Sequence, residues 1–384
     1  MNIQLNHNIE KVETSEIRQF NDYARSVGAN VILTLGEPDF HTPQAITTKA
    51  IEALEAHQTK YGPTLGFLDL RKKIVEFEKR VNDFSCTPEE IIITHGSTEG
   101  LTSALFTMLN PGDEVIIPIP AYPMYRQMVE FMGGKVVPID TTLSKFQITE
   151  NALLQAITPK TKAIILTSPN NPTGSVFTDE TYEILHNILK NKPIYIICDD
   201  VYNQIIYKNR KPGFVRYKDM KNQIIVCQSY SKSYAMPGWR CGYLIAPKEF
   251  CEQACKIHQY MIVALNTFIQ PAMIEALDYD SSSMVKSYQE RRDYIYQRLL
   301  SMGLEVEKPE GAFYIFPSIK KFGVKSFEFC SRFAKEYKVA IIPGHCFEAD
   351  DYVRLSYCVD FQTIETACDR LEQFIKKLME EQHG

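Results

Sequence analysis

Between residues 91 and 246 of this 384-residue chain, short apolar runs recur at Ile91–Thr94, Val115–Pro118, Val136–Ile139, Ala163–Thr167, Ile194–Cys198, Ile224–Cys227 and Tyr243–Ala246. Most are separated by amphipathic segments of helical length. This alternation constrains the fold more than any other feature. Strands that read as continuous apolar runs must be covered on both faces, and the intervening helices supply the cover. The expectation is an α/β fold: a mainly parallel, seven-stranded sheet flanked by helices. In such sheets ligands bind beyond the carboxyl ends of the strands, so the residues following each run are where chemistry is sought.

The chain is longer than a single core of ordinary size. Beyond about residue 280 the pattern changes. Ser281-Ser282-Ser283 is placed to cap a long helix that reaches Leu300 and ends at Gly303. Strands follow near Gly311–Phe316, Val339–Pro343 and Val353–Tyr357, with helices around Ser326–Tyr337 and Phe361–Glu380. This predicts a smaller α+β domain. Near the N-terminus, Ser15 opens a helical pattern and Val31–Leu35 reads as a strand. The expected division is an arm with part of the small domain over 1–40, a large domain over 41–280 and a small C-terminal domain over 281–384. A net charge of −5 with no basic stripe argues against nucleic acid as a partner. No apolar run reaches membrane-spanning length, and Met1–His7 lacks a signal peptide's basic start and apolar core. Ten cysteines without metal-like or redox-like spacing fit a reducing cytoplasm.

The most informative strand end follows Ile224–Cys227. In Ser229-Tyr230-Ser231-Lys232-Ser233-Tyr234, continued by Gly238-Trp239-Arg240, a lysine sits among hydroxyls with an arginine nearby. The hydroxyls and guanidinium can donate to a dianionic phosphate, and a cationic neighbour favours the deprotonated, nucleophilic amine. After the first run, His95-Gly96-Ser97-Thr98 opens a helix whose free N–H groups suit an anion. After the second, Tyr122 in Pro120-Ala121-Tyr122-Pro123-Met124-Tyr125 offers a ring against which a planar heterocycle can stack. Ser168-Pro169-Asn170-Asn171-Pro172-Thr173-Gly174 holds Asn171 in a rigid segment, and Asn171–Pro172 is a candidate cis peptide. In Asp199-Asp200-Val201-Tyr202 the first carboxylate and the tyrosine can face one pocket, although two adjacent acids also suit magnesium.

These pieces interlock. A pyridine ring that accepts electrons needs its nitrogen protonated, and Asp199 is suited to stabilise it. The ring oxygen needs donors, for which Asn171 and Tyr202 are available. A phosphate needs Ser97, Thr98, Ser229, Ser231 and Arg240, and an aldehyde needs Lys232.

From about Ile17 to the last helix, the chain resembles the class I aminotransferases, the pyridoxal-phosphate-dependent enzymes of fold type I with the aspartate-aminotransferase fold. The matching strings are Gly36-Glu37-Pro38-Asp39-Phe40, Tyr122-Pro123-Met124-Tyr125, Pro169-Asn170-Asn171-Pro172-Thr173-Gly174, Asp199-Asp200-Val201-Tyr202, Ser229-Tyr230-Ser231-Lys232 with Gly238-Trp239-Arg240, and Val353-Arg354-Leu355-Ser356-Tyr357. It looks most like the bacterial branch that includes N-acetyl-diaminopimelate and aromatic amino-acid aminotransferases. The resemblance implies pyridoxal 5'-phosphate as cofactor, with Lys232, Asp199 and Tyr202 as catalytic residues and no metal. It implies that Arg354 holds the substrate α-carboxylate, a task suited to its planar fork, with Asn171 and the backbone near Gly36 assisting. Tyr61 matches a tyrosine that reaches the neighbouring subunit's phosphate, which implies a homodimer, and the Ile17 region matches the segment that closes over substrate. The implied reaction is a ping-pong exchange between an L-amino acid and a 2-oxo acid. The glutamate/2-oxoglutarate pair is one partner, and N-acetyl-diaminopimelate, aromatic amino acids or aspartate are possible donors.

Asp200 stands where many relatives have glutamate, and no dedicated second arginine for a side-chain carboxylate is identifiable. A carbon–sulfur β-lyase of the same fold would use the same lysine, aspartate and arginine. A cofactor-sensing regulator would carry a basic helix-turn-helix segment, and none is present in the sequence.

Overall fold

A computed structural model describes residues 7–10, 12, 14–208 and 213–383. After a two-residue strand β1 (Val31–Ile32), the main sheet is built from β2 (Ile91–Thr94), β3 (Glu114–Ile119), β4 (Lys135–Asp140), β5 (Thr161–Leu166), β6 (Tyr195–Asp199), β7 (Ile224–Ser229) and β8 (Gly242–Ile245). Each expected run forms a strand, in the spatial order β2-β8-β7-β6-β5-β3-β4. Strands β3 to β7 pair in parallel, whereas β8 runs antiparallel to both β2 and β7. The physical reason is the link between β7 and β8. It forms only the short helix Tyr230–Ser233 and a 3-10 turn at Pro237–Trp239. Without a crossover helix to carry the chain back to the sheet's other end, β8 returns antiparallel.

The twofold side-chain period of a strand sends neighbouring residues to opposite faces. Ile164, Ile196 and Val226 enter a core with Leu70, Ile74, Phe77 and Leu185, while Ile165, Ile197 and Ile225 enter another with Leu101, Leu105 and Ala254. Both faces are therefore dry, which is why the strands read as continuous apolar runs.

A third core gathers Phe20 and Leu33 from the N-terminal arm with Tyr288, Ile295, Phe313, Ile341 and Phe374 from the C-terminal part. Its strands are β9 (Tyr314–Ile315), β10 (Val339–Ala340), β11 (Ile342–Pro343) and β12 (Val353–Ser356), and its helices include Glu16–Ser26, Ser282–Ser301, Ser326–Tyr337 and Phe361–His383. These strands are shorter than the sequence suggests. The expected strand Val31–Leu35 pairs with β10 only through β1, after which the Leu33 carbonyl accepts from Ser356 on β12. The run Val339–Pro343 divides because β10 pairs with β1 and β11 with β12. The run Gly311–Phe316 shrinks to β9 because Ala312 has φ +53°, which interrupts extended backbone. The serine cap also differs: Ser281 makes no side-chain cap bond, and the Asp280 carboxylate accepts from both the Ser282 N–H and hydroxyl at 2.9 Å. A carboxylate is the stronger acceptor for those donors. Among the described residues no helix is long and apolar enough to cross a membrane.

Candidate active site

The carboxyl ends of β2, β3, β5, β6 and β7 open onto a cleft of about 350 Å3, whose opposite wall comes from the N-terminal arm, β9 and β12. Every expected site residue except Tyr61 lines it. Arg240 precedes its strand rather than following it, yet reaches the same edge. The reversed direction of β8 brings the strand's amino end there.

One end of the cleft is rich in donors. The helix Gly96–Met108 begins there with Ser97 and Thr98 in its first turn. Gly96 has φ +72°, and a Cβ on it would lie 3.1 Å from Arg240 Nη2, so glycine permits both the turn and the close approach of the guanidinium. The Ser229 hydroxyl donates to Ser231 Oγ at 2.8 Å and accepts from the Ser231 N–H at 3.1 Å, which fixes both side chains at the end of β7. Helix N–H groups, hydroxyls and a guanidinium on one concave wall suit a phosphate.

In the middle of the cleft, Lys232 donates from Nζ to the Gly36 carbonyl at 2.5 Å. Burial pulls its amine down to about 8, against the charges of Cys358 and Glu37, with smaller downward contributions from Arg240 and Arg354. The cationic neighbour expected from sequence is present, but desolvation is the larger cause. Beyond it Asp199 accepts from the Tyr125 hydroxyl at 2.5 Å through Oδ2. Burial pushes the Asp199 carboxyl up to about 6, while the Tyr125 bond, the Lys232 charge and the Val201 N–H pull the other way. Asp199 faces the cleft and Asp200 does not, so the adjacent acids do not converge on one ion. Tyr202 exchanges a hydrogen bond of 2.8 Å with Tyr314. Burial raises the Tyr202 phenol well above its ordinary value, so it remains a neutral donor.

At the far end, Arg354 is 2% exposed and forks between Asn171 Oδ1 (2.9 Å) and the Thr34 carbonyl (2.7 Å). Its guanidinium lies over the rings of Tyr314 at 4.6 Å and Phe347 at 5.0 Å. Asn171 therefore holds Arg354 as well as facing the cleft, and Asn171–Pro172 is cis.

Three buried polar atoms of residues lining this cleft lack a partner: Asp199 Oδ1, an acceptor, Arg354 Nε, a donor, and the Thr34 hydroxyl. Buried groups of this kind ordinarily bond to something. A protonated pyridine nitrogen answers the first, a carboxylate answers the second, and the donor-rich end answers a phosphate. The residues fit pyridoxal phosphate.

Sequence reading missed several lining residues. Tyr125 was visible in Tyr122-Pro123-Met124-Tyr125 but had no assigned partner, and Tyr314 carried no strand-end signal. Arg18, on the helix Glu16–Ser26, lines the same cleft as Arg354, where the sequence identified no second arginine. Helical periodicity alone gives it a surface reading. Tyr61 is 89% exposed and lines a separate recess with Asn266 and Phe268.

The family model "Aminotransferase class I and II" matches residues 30–371. A probable N-acetyl-LL-diaminopimelate aminotransferase of Bacillus subtilis is 38% identical, over 98% of this chain and 97% of that protein. Aromatic-amino-acid aminotransferase 2 of Thermococcus litoralis is 37% identical, over 97% of this chain and 98% of its own length. The structure of an aspartate aminotransferase from Thermotoga maritima superposes with a TM-score of 0.93 at 33% identity, covering 97% of this chain and 100% of that one.

Proposed function

The chain belongs to the class I and II aminotransferases and is a pyridoxal-phosphate-dependent enzyme of that family, and from that premise we propose which residues act and on what. The reaction is a ping-pong transfer of an amino group from an L-amino acid to a 2-oxo acid, with glutamate and 2-oxoglutarate as one pair. The observation that carries this reading is the placing of three groups along one cleft: the Asp199 acceptor, the Lys232 amine and the Arg354 fork.

Pyridoxal phosphate, when bound, supplies a carbonyl carbon for covalent attachment and a ring that accepts the electron pair released at the substrate's α-carbon. Ser97, Thr98, Ser229, Ser231 and Arg240 would hold its phosphate, Tyr122 would flank its ring, and Asn171 and Tyr202 would serve its ring oxygen. Asp199, steadied by Tyr125, keeps a negative charge against the ring nitrogen. Arg354 binds the substrate carboxylate through its unpartnered Nε while Asn171 and Thr34 steady the rest of the guanidinium, which fixes the α-carbon, with the Gly36 backbone and Ile17 closing the site above it. Lys232 Nζ would take the proton from the substrate's α-carbon and return it on the far side of the amino nitrogen, at the carbon the cofactor supplies as its carbonyl. An amine held near about 8 by burial exchanges protons efficiently around neutral pH.

Arg18 deepens the substrate assignment. A second guanidinium on the closing arm suits the distal carboxylate of glutamate or 2-oxoglutarate, and the aromatic lining leaves room for other donors. Among these are N-acetyl-diaminopimelate, aromatic amino acids and aspartate.

The working division is an arm over 1–40 and a small domain over 281–384 that close on the large domain over 41–280. The active unit is a homodimer in which Tyr61 reaches the phosphate bound by its partner. Its high exposure, in a recess shared with Ile262 and Phe268, supports a covering subunit. All ten cysteines are free thiols, which supports a reducing, cytoplasmic setting.

The test is a single half-reaction. Holoenzyme mixed with L-glutamate and no acceptor is expected to release one 2-oxoglutarate per site and stop. Continuous release of pyruvate and ammonia from cystathionine would instead identify a β-lyase.

A further inference from the structure

Beside the cleft, the N-terminal arm meets the small domain at a cluster that the transamination chemistry does not use. Glu16, His345 and Cys346 each offer one ligand atom, and the three atoms lie within 4.8 Å of one another. His345 Nε2 is 3.7 Å from Glu16 Oε2 and 3.8 Å from Cys346 Sγ. In a tetrahedral zinc site with bonds of ~2.0–2.3 Å, ligand atoms are roughly 3.3–3.8 Å apart. Two edges of such a tetrahedron are already formed.

The imidazole is also braced for coordination. Ser326 Oγ donates to Asp350 Oδ1 at 2.6 Å, and on its other side it meets His345 Nδ1 at 3.4 Å. With its own proton committed to Asp350, the hydroxyl can only accept from His345, which puts the ring proton on Nδ1 and the lone pair on Nε2, facing Cys346 and Glu16. An acceptor on a histidine's outer nitrogen, here a hydroxyl backed by a carboxylate, is the kind of partner found behind a metal-bound imidazole. The nearby cation Arg126 is spent on Glu348 (2.6 and 2.8 Å) and Glu130 (3.2 Å). A side cleft of about 200 Å3 leaves room for a water as fourth ligand.

The geometry points to a Zn2+ site formed by Cys346 Sγ, His345 Nε2 and a Glu16 carboxylate oxygen, one that ties the arm to the small domain and slows turnover. Thiolate, imidazole and carboxylate are the donors zinc takes, and binding forms the Zn–S bond as the thiol proton leaves to solvent. Glu16 adjoins Ile17 and Arg18 on the arm, while His345 and Cys346 immediately precede Phe347, whose ring covers Arg354. The slowing of turnover rests on the reading of this arm as the closing segment; the metal site does not.

The experiment titrates zinc chloride into holoenzyme, measuring both bound metal and transamination rate, with Co2+ as a second probe whose visible bands report thiolate ligation. Wild type is expected to bind one zinc per chain and lose activity. Cys346→Ser and His345→Ala are expected to lose the high-affinity zinc and the inhibition, with intact cofactor absorbance confirming that they are folded. Ser326→Ala, which removes the contact to Nδ1 and the acceptor for the His345 N–H (3.1 Å) but no ligand, is expected to weaken zinc by about 10- to 100-fold. Absence of binding, or equal binding and inhibition in wild type and both ligand variants, overturns the site. Binding that spares turnover keeps the metal site and overturns the closing role of the arm.

Discussion

The buried Asp199 carboxylate costs the empty fold stability once it is ionised. Burial raises the Asp199 carboxyl to about 6 from an ordinary 3.8. Its folded form therefore holds a proton more tightly than the unfolded chain does. The stability cost begins as pH rises past the unfolded value and is complete above the folded one. At about 1.4 kcal/mol per unit, it is on the order of 3 kcal/mol. In cofactor-free protein, Asp199→Asn is expected to raise unfolding stability by up to that amount at pH 8 and by little at pH 4, while abolishing turnover. Denaturant melts of the apoprotein at the two pH values measure this, and an equal effect at both would contradict it. Arg18 carries a sharper specificity claim. Arg18→Gln is expected to raise KM for 2-oxoglutarate about 10-fold or more, as loss of a charged hydrogen bond of about 1.5–3 kcal/mol implies, and to leave KM for a monocarboxylic oxo acid nearly unchanged. Parallel rises for both acceptors would remove Arg18 from the substrate pocket.

At the scale of elements, the donor-rich wall proposed to hold the phosphate depends on two backbones and a guanidinium in close contact. A Cβ on Gly242 would lie 2.9 Å from Gly96 Cα, and one on Gly96 would press on Arg240. Gly96→Ala must also adopt φ +72°, at a strain cost of roughly 1–2 kcal/mol. It is expected to weaken cofactor affinity about 10-fold or more with little change in the far-UV spectrum, measured by titrating pyridoxal phosphate into apoprotein. Behind this wall, buried Glu99 accepts from the Ser103 hydroxyl at 2.6 Å and faces His258 Nδ1 at 3.2 Å, while His258 Nε2 contacts the Thr64 carbonyl at 2.8 Å. The network ties the helix at the donor-rich end to the loop that carries Tyr61.

The elements themselves were largely legible. All of the main-sheet strands declared themselves because dry faces on both sides force apolar runs. Strand direction did not, since a run reads the same parallel or antiparallel, and only the missing crossover helix reveals that β8 reverses. In the small domain the strands were overread, because Ala312 at positive φ and the division of β10 from β11 depend on partners far away in sequence. The residues named from dense strings after strands do come together along one cleft. Arg18, Tyr125 and Tyr314 could not be given roles, because their meaning comes from folding beside Arg354, Asp199 and Tyr202.

For the whole molecule, the arrangement proposed is a dimer whose arm and small domain shut over a rigid sheet edge. Tyr61→Phe is expected to remain dimeric by sedimentation but to bind pyridoxal phosphate about 10-fold more weakly, the worth of one hydrogen bond to a charged group. Unchanged affinity would take Tyr61 out of the partner's phosphate site. The central claim is that Lys232 carries the cofactor and moves its proton. The most direct measurement is the visible spectrum of purified protein before and after L-glutamate, in wild type and Lys232→Ala. The expected result is a wild-type band near about 410–430 nm that gives way to one near about 330 nm, as nucleophilic lysine catalysis with this cofactor requires, and no such conversion in the variant. A wild-type protein that forms no band with added pyridoxal phosphate, or a variant that forms and converts it as wild type does, would contradict the account.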